Sequence, residues 1–235
     1  MTQLDLGLVE DPRQLPLALP CEPDYDRASF VVTPMLQEAV SLVDRWPEWS
    51  MPWAVLVGPP GSGKSHLAAI WMARSDAVRL GSRELAQFDP VSLGGACAIV
   101  ENADIIVAGE RSRAVQTGLF HLANHVRQSG SQLLMTARGE PARWPVVISD
   151  LASRLRAATR ATLPEPDEAL LEAVLVKLFA DRQIAVDPSL VRYIAERIER
   201  SLGMARTVVE RLDRQALADG RRIDRRMVAK VLDPV

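Results

Sequence analysis

The sequence predicts an α/β fold, a parallel-sheet core followed by a small C-terminal helical domain, and three observations carry the prediction. Between about residues 25 and 164, short apolar runs alternate with helical stretches, the signature of parallel strands joined by crossover helices. Beyond Pro164 and Pro166 the apolar spacing becomes three and four throughout, the period of helix alone. Between one apolar run and the amphipathic helix after it lies Gly58-Pro59-Pro60-Gly61-Ser62-Gly63-Lys64-Ser65, which satisfies the phosphate-loop pattern G-x-x-x-x-G-K-[ST].

Strands are expected at 53–57, 77–80, 96–100, 132–136 and 160–163, and core helices at 34–45, 63–74, 112–128 and 150–157. Four more helices fit 167–182, 188–200, 204–218 and 224–232, with Asp167, Asp187 and Asp224 as N-terminal caps or first-turn acids. Residues 1–24 carry Pro12, Pro16, Pro20 and Pro23 without helical periodicity and read as an extended arm. The expected organisation is therefore an arm over 1–24, an α/β core over 25–164 and a helical domain over 165–235.

The 235 residues suffice for a substantial core without disulfide support. Cys21 and Cys97 lie far apart and outside any metal-ligand spacing, which fits a reduced compartment. No stretch is long and apolar enough to span a bilayer, and the early acids Asp5, Glu10 and Asp11 exclude a signal peptide. A cytoplasmic location is expected. With a net charge of −2 and a pI near 6.0, a general electrostatic hold on DNA is not expected from the whole chain. The late arginines 221, 222, 225 and 226 read as a solvated helix face.

The loop predicts binding of a nucleoside triphosphate or diphosphate, ADP or ATP. Its backbone N–H groups must wrap phosphate oxygens, so glycines are needed where a Cβ would block the approach or where φ is positive. Gly58, Gly61 and Gly63 fill those places, with Pro59, Ser62 and His66 beside them. Lys64 is expected to reach the β and γ phosphates and Ser65 to hold Mg²⁺, at the positive end of the following helix. His66 and His121 lack ligand partners at useful spacing and read as core or helix-surface residues. Trp46, Trp49, Trp53, Trp71 and Trp144, scattered at element ends, read as packing residues.

Hydrolysis needs a metal-associated acid at the end of a core strand and a second acid to position water. Cys97-Ala98-Ile99-Val100-Glu101-Asn102-Ala103-Asp104 offers Glu101 for the first role, but Asn102 stands in the second place. An amide cannot take a proton from water near neutral pH, so slow intrinsic hydrolysis and stable occupancy by nucleotide are expected, with Asp104 as a lesser substitute. Thr136 ends an apolar run and either senses the γ phosphate or satisfies local backbone.

The arm contains an internal echo, Gln3-Leu4-Asp5-Leu6-Gly7-Leu8 and Gln14-Leu15-Pro16-Leu17-Ala18-Leu19, both of the form Q-L-x-L-x-L. Alternating leucines on an extended backbone face one way and can enter a groove on another protein, or else dock as an edge strand on this one.

These features together resemble the AAA+ proteins of the DnaA group and, within it, the Hda/HdaA family of DnaA-homologous regulators. The resemblance runs from about Gln14 to Asp233. It rests on the Gln14–Leu19 arm, the Gly58–Ser65 loop followed by His66-Leu67, and Leu119-Phe120-His121. It rests also on Leu134-Met135-Thr136-Ala137 before Pro141, Asp150-Leu151-Ala152-Ser153-Arg154-Leu155, and Met204-Ala205-Arg206-Thr207. It implies that Gln14, Leu15, Leu17 and Leu19 bind the DNA polymerase III sliding clamp (beta subunit). It further implies that Arg154 acts as an arginine finger on a neighbouring subunit's nucleotide and that Arg206 senses bound nucleotide. From spacing alone Arg154 would pair with Asp150, four residues earlier.

The implied function is negative regulation of chromosomal replication initiation, with DnaA as partner, DNA reached only indirectly, no membrane contact and a nucleoid or replisome association. A homodimer would engage the clamp through two arms. Two departures stand out: Glu101-Asn102 replaces a pair of acids, and Arg156-Ala157 replaces an aromatic and a glycine. A DnaA initiator continues into a helix-turn-helix domain, whereas this sequence ends at Val235, just after the helical region, so no origin reading of that kind is expected. The rival readings are an active ATPase of the clamp-loader or helicase-loader type, and an adaptor gated by nucleotide without catalytic contribution.

Overall fold

The computed structural model describes residue 27 and residues 30–232. Five strands, β1 Trp53–Val57, β2 Val78–Arg79, β3 Ala98–Val100, β4 Leu133–Ala137 and β5 Thr159–Thr162, form one parallel sheet in the order β2-β3-β4-β1-β5. The central strands β1 and β4 are buried along their whole length, as continuous apolar runs in a sheet covered on both faces must be. β2 is an exposed edge of two residues rather than the four expected, because only one neighbour pairs with it.

Side chains alternate across the sheet. Trp53, Val55 and Val57 enter one apolar layer, Ala54 and Leu56 the other. α1 Gln37–Asp44 and α2 Lys64–Ser75 cover the Leu56 face. The Val55 face carries α3 Ser82–Ala86, α4 Pro90–Leu93, α5 Ala103–Ala108, α6 Ser112–Ser129 and α7 Ser149–Arg156. The three short helices α3 to α5 were not anticipated, since four to six residues are too few for a helical period to register. Trp46 and Trp49 leave α1 to pack on Trp71, the latter stacked with centroids 5.5 Å apart.

The C-terminal part is helical: α8 Glu168–Asp181, α9 Pro188–Ala195, α10 Leu202–Asp219 and α11 Arg225–Leu232. These helices share a third apolar cluster around Leu175, Phe179, Ile194, Val209 and Met227. The expected caps are in place, with Asp167 accepting from Leu170 N, Asp187 from Ser189 N and Asp224 from Met227 N at 2.8, 2.8 and 2.7 Å. Each such cap contributes about 0.5–2 kcal/mol. α9 ends five residues short of its expected limit because the chain must turn to reach Ser201, whose hydroxyl caps α10 by accepting from Met204 N at 3.2 Å. Among the described residues no helix is long and apolar enough to cross a membrane. The proposed clamp contacts Gln14, Leu15, Leu17 and Leu19, and the echo at residues 3–8, lie outside the described residues.

Candidate functional site

β1 delivers the phosphate loop to the carboxyl end of the sheet, where open α/β sheets hold ligands. Both neighbours grip its exit: Gly58 N donates to Ala137 O at 3.1 Å, and Leu163 N donates to Val57 O at 2.7 Å. A Cβ on Gly58 would overlap the Leu163 carbonyl, so the close approach of the two segments requires glycine there. Gly63, at φ +99°, turns the loop into α2 and directs that helix's first N–H groups toward the loop.

Gly61 joins the loop to the C-terminal helices. Its carbonyl accepts from Leu202 N at 2.9 Å, its φ is +74°, and Ser201 Oγ fills the space a side chain would need. The first turn of α10 therefore rests on the loop. Arg206, four residues after Leu202, lies on the same face of that helix.

Lys64 is buried, and its ammonium donates to Gly58 O and Pro59 O, both at 2.6 Å, and to Ser62 Oγ at 3.4 Å. Burial pushes its pKa below the ordinary lysine value, Asp104 opposes that shift, and the Arg138 charge adds to it. One positive charge thus sits at the centre of the loop with a second nearby. Arg138 was missed at the sequence level, because nothing local marks an exposed arginine after a strand.

Beside the loop, Ser65 Oγ donates to Glu101 Oε2 at 3.5 Å, and Arg79 Nη1 forms an ion pair with Glu101 Oε1 at 3.1 Å without hydrogen-bond alignment, which leaves that buried oxygen with no hydrogen-bond partner. A hydroxyl and a carboxylate are hard oxygen donors that fit Mg²⁺, an ion usually held by one or two protein ligands together with phosphates. Among the described residues there is no cluster of three or more His, Cys, Asp or Glu able to hold a metal ion.

Asn102 follows Glu101 in left-handed conformation, φ 51° and ψ 44°, a backbone that Asn tolerates. Its amide N–H donates to Thr136 Oγ1 at 3.0 Å, so the buried Thr136 hydroxyl ties the end of β4 to the start of α5. Asp104 Oδ2 accepts from Arg138 N at 2.9 Å, while its Oδ1 is buried without a hydrogen-bond partner. The Ala137–Arg138 peptide therefore bridges the loop and the start of α5, with its carbonyl on Gly58 and its N–H on Asp104.

Arg154 lies apart from these groups, on α7. Its guanidinium does not take Asp150 as the spacing suggested. It donates to Asn124 Oδ1 on α6 at 2.6 Å and lies 4.7 Å from the centre of the Phe120 ring. His66 packs edge-on against Phe30 at 5.1 Å and His121 lies against Phe120 at 5.7 Å.

No family model matches this sequence. Over 112 residues, 48% of the chain, it is 26% identical to the chromosomal replication initiator protein DnaA of Thermotoga petrophila, a match that spans only 26% of that relative's length. In structure it is similar to domain III of the Thermotoga maritima replication initiation protein DnaA, with a TM-score of 0.76 at 19% identity, covering 91% of this chain and 97% of that one. The AMPPCP-bound DnaA of Aquifex aeolicus gives a TM-score of 0.68 at 16% identity, covering 84% and 67%. The chain is thus similar to DnaA in sequence over about half its length, and its fold is that of DnaA domain III.

Proposed function

We propose that this protein is a nucleotide-bound negative regulator of chromosomal replication initiation, of the Hda type. Held at the DNA-loaded sliding clamp by Gln14, Leu15, Leu17 and Leu19, it presents Arg154 to ATP bound by DnaA and promotes hydrolysis to ADP. DNA is reached only through the clamp, which places the protein in the cytoplasm at the replisome. Each buried leucine contributes about 1.5–3 kcal/mol gross, but ordering the arm and losing rigid-body freedom consume much of that, so one arm binds weakly. A homodimer would strengthen the hold by avidity.

The observation that carries this reading is a complete phosphate loop joined to an incomplete set of acids. Lys64, Ser65 and Glu101 gather at the loop while Asn102 takes the next place. A site so built retains ADP or ATP and hydrolyses it slowly. Gly58, Pro59, Gly61, Ser62, Gly63 and His66 form the loop and its flank, Thr136 fixes Asn102, and Arg206 on α10 is assigned the sensing of bound nucleotide. Ser65 and Glu101 would hold Mg²⁺, which supplies charge neutralisation across the phosphate oxygens when bound. The DnaA-like fold supports DnaA as the partner. An arginine supplied in trans can speed phosphoryl transfer by about 10³- to 10⁵-fold, and its planar fork serves two oxygens at once.

The contacts of Arg154 with Asn124 and Phe120 favour a second reading, a nucleotide-gated adaptor in which nucleotide sets shape alone. One experiment separates the readings: conversion of radiolabelled ATP pre-loaded on DnaA, followed with clamp, DNA and this protein. Faster conversion that requires the clamp and is lost in Q14A/L15A supports the regulator. Unchanged DnaA-bound ATP overturns it. Fast turnover by this protein without DnaA would instead indicate a loader-type ATPase.

A further inference from the structure

We propose that Arg79 is a built-in counter-cation for Glu101 that does part of the metal's work, so that this site holds nucleotide with little dependence on Mg²⁺. The inference rests on the nucleotide reading above and specifies how that site is regulated.

The geometry begins in the sheet. β2 pairs with β3 so that Arg79 stands opposite Ile99, and Glu101 follows two residues later, continuing the same face. That face is the one covered by α2, which carries Ser65. Three side chains from three elements therefore converge. Glu101 Oε1 is 3.1 Å from Arg79 Nη1, and Glu101 Oε2 is 3.5 Å from Ser65 Oγ. The Glu101 side chain is 18% exposed and that of Arg79 54%, so the acid sits in the crevice and the cation reaches it from the exposed edge strand.

Two consequences follow from Coulomb's law. A carboxylate shared with a guanidinium offers a metal ion less than a full negative charge, which lowers Mg²⁺ affinity. When the metal is absent, the same guanidinium screens Glu101 from the phosphates and spares the nucleotide a repulsion. Both effects flatten the response to Mg²⁺. Because Arg79 is half exposed, the pair is weak enough for a divalent ion to compete without being excluded.

The test is titration of the full chain with mant-ADP, in excess Mg²⁺ and in EDTA, comparing the ratio of the two dissociation constants between wild type, R79Q and R79K. Wild type and R79K should show a ratio of at most about threefold, and R79Q about tenfold or more, the difference expected when a nearby charge is removed. An equal ratio in wild type and R79Q overturns the role of Arg79 and leaves the nucleotide site standing. A rise in R79K as large as in R79Q overturns it too, since charge would then not be the cause. Absence of mant-ADP binding by wild type overturns both this inference and the nucleotide reading.

Discussion

Arg154 Nη1 donates to Asn124 Oδ1 at 2.6 Å, which fastens the proposed finger to its own α6. A hydrogen bond from a charged donor is worth about 1.5–3 kcal/mol net, and a partly exposed cation–π contact such as that with Phe120 about 0.5–1 kcal/mol. A finger that gains 10³- to 10⁵-fold in rate supplies about 4–7 kcal/mol in the transition state. The gain exceeds the cost of release, so Arg154 can leave these partners for a phosphate. The same contacts hold the side chain against α6. N124A should therefore leave stimulation of DnaA within about tenfold of wild type, measured as the rate of ADP formation, because the lost bond is one the finger gives up on engagement.

Asn102 predicts a gain of function. Asp tolerates the left-handed backbone at this position, and the amide that donates to Thr136 is unchanged by the substitution. N102D should raise intrinsic ATP hydrolysis by about tenfold or more, since a positioned general base commonly contributes 10²–10⁴-fold. An unchanged steady-state phosphate release rate would mean that the missing acid is not what limits turnover.

Thr136 predicts a loss of stability. T136V keeps the shape but removes the acceptor of the Asn102 amide, at a cost of about 1–3 kcal/mol for a group left unpaired. T136S should recover most of it. Urea denaturation of the three proteins reads the difference as a shift in midpoint at constant slope.

Lys64 predicts a pH dependence with a definite sign. Its pKa in the folded protein lies below the ordinary value of 10.5, so between the two the unfolded chain binds more protons. Wild-type stability must therefore rise with pH across that window relative to a variant that cannot titrate. The melting temperature of K64M minus that of wild type should be largest near neutral pH and shrink as pH approaches 10.5. A gap that widens would reverse the assignment of burial as the dominant cause. K64M should also lose nucleotide binding.

What the sequence made legible was local. The eight-residue loop, the strand before it and the helix after it are contiguous, so spacing alone located Gly58, Gly61, Gly63, Lys64 and Ser65. β1 agrees residue for residue with its expected span, and the caps Asp167, Asp187 and Asp224 act where residue type placed them. Relationships made by strand order were hidden. Arg79 and Glu101 meet because β2 lies beside β3, and Asp104 meets the Ala137–Arg138 peptide because β4 lies beside β3. Hydrophobic periodicity reports which residues are buried, not which strands are neighbours. The pairing of Arg154 was missed for a related reason: an acid four residues away offered a local partner, and Asn124 thirty residues away offered a better one.

The most direct measurement is single-turnover conversion of radiolabelled ATP on DnaA, in the presence of DNA-loaded clamp, with wild-type protein or R154A. Wild type should accelerate ADP formation by about 10²-fold or more, and R154A, with clamp and nucleotide binding expected to be unchanged, should return the rate to that of DnaA alone. Equal acceleration by the two proteins would contradict an arginine finger at position 154.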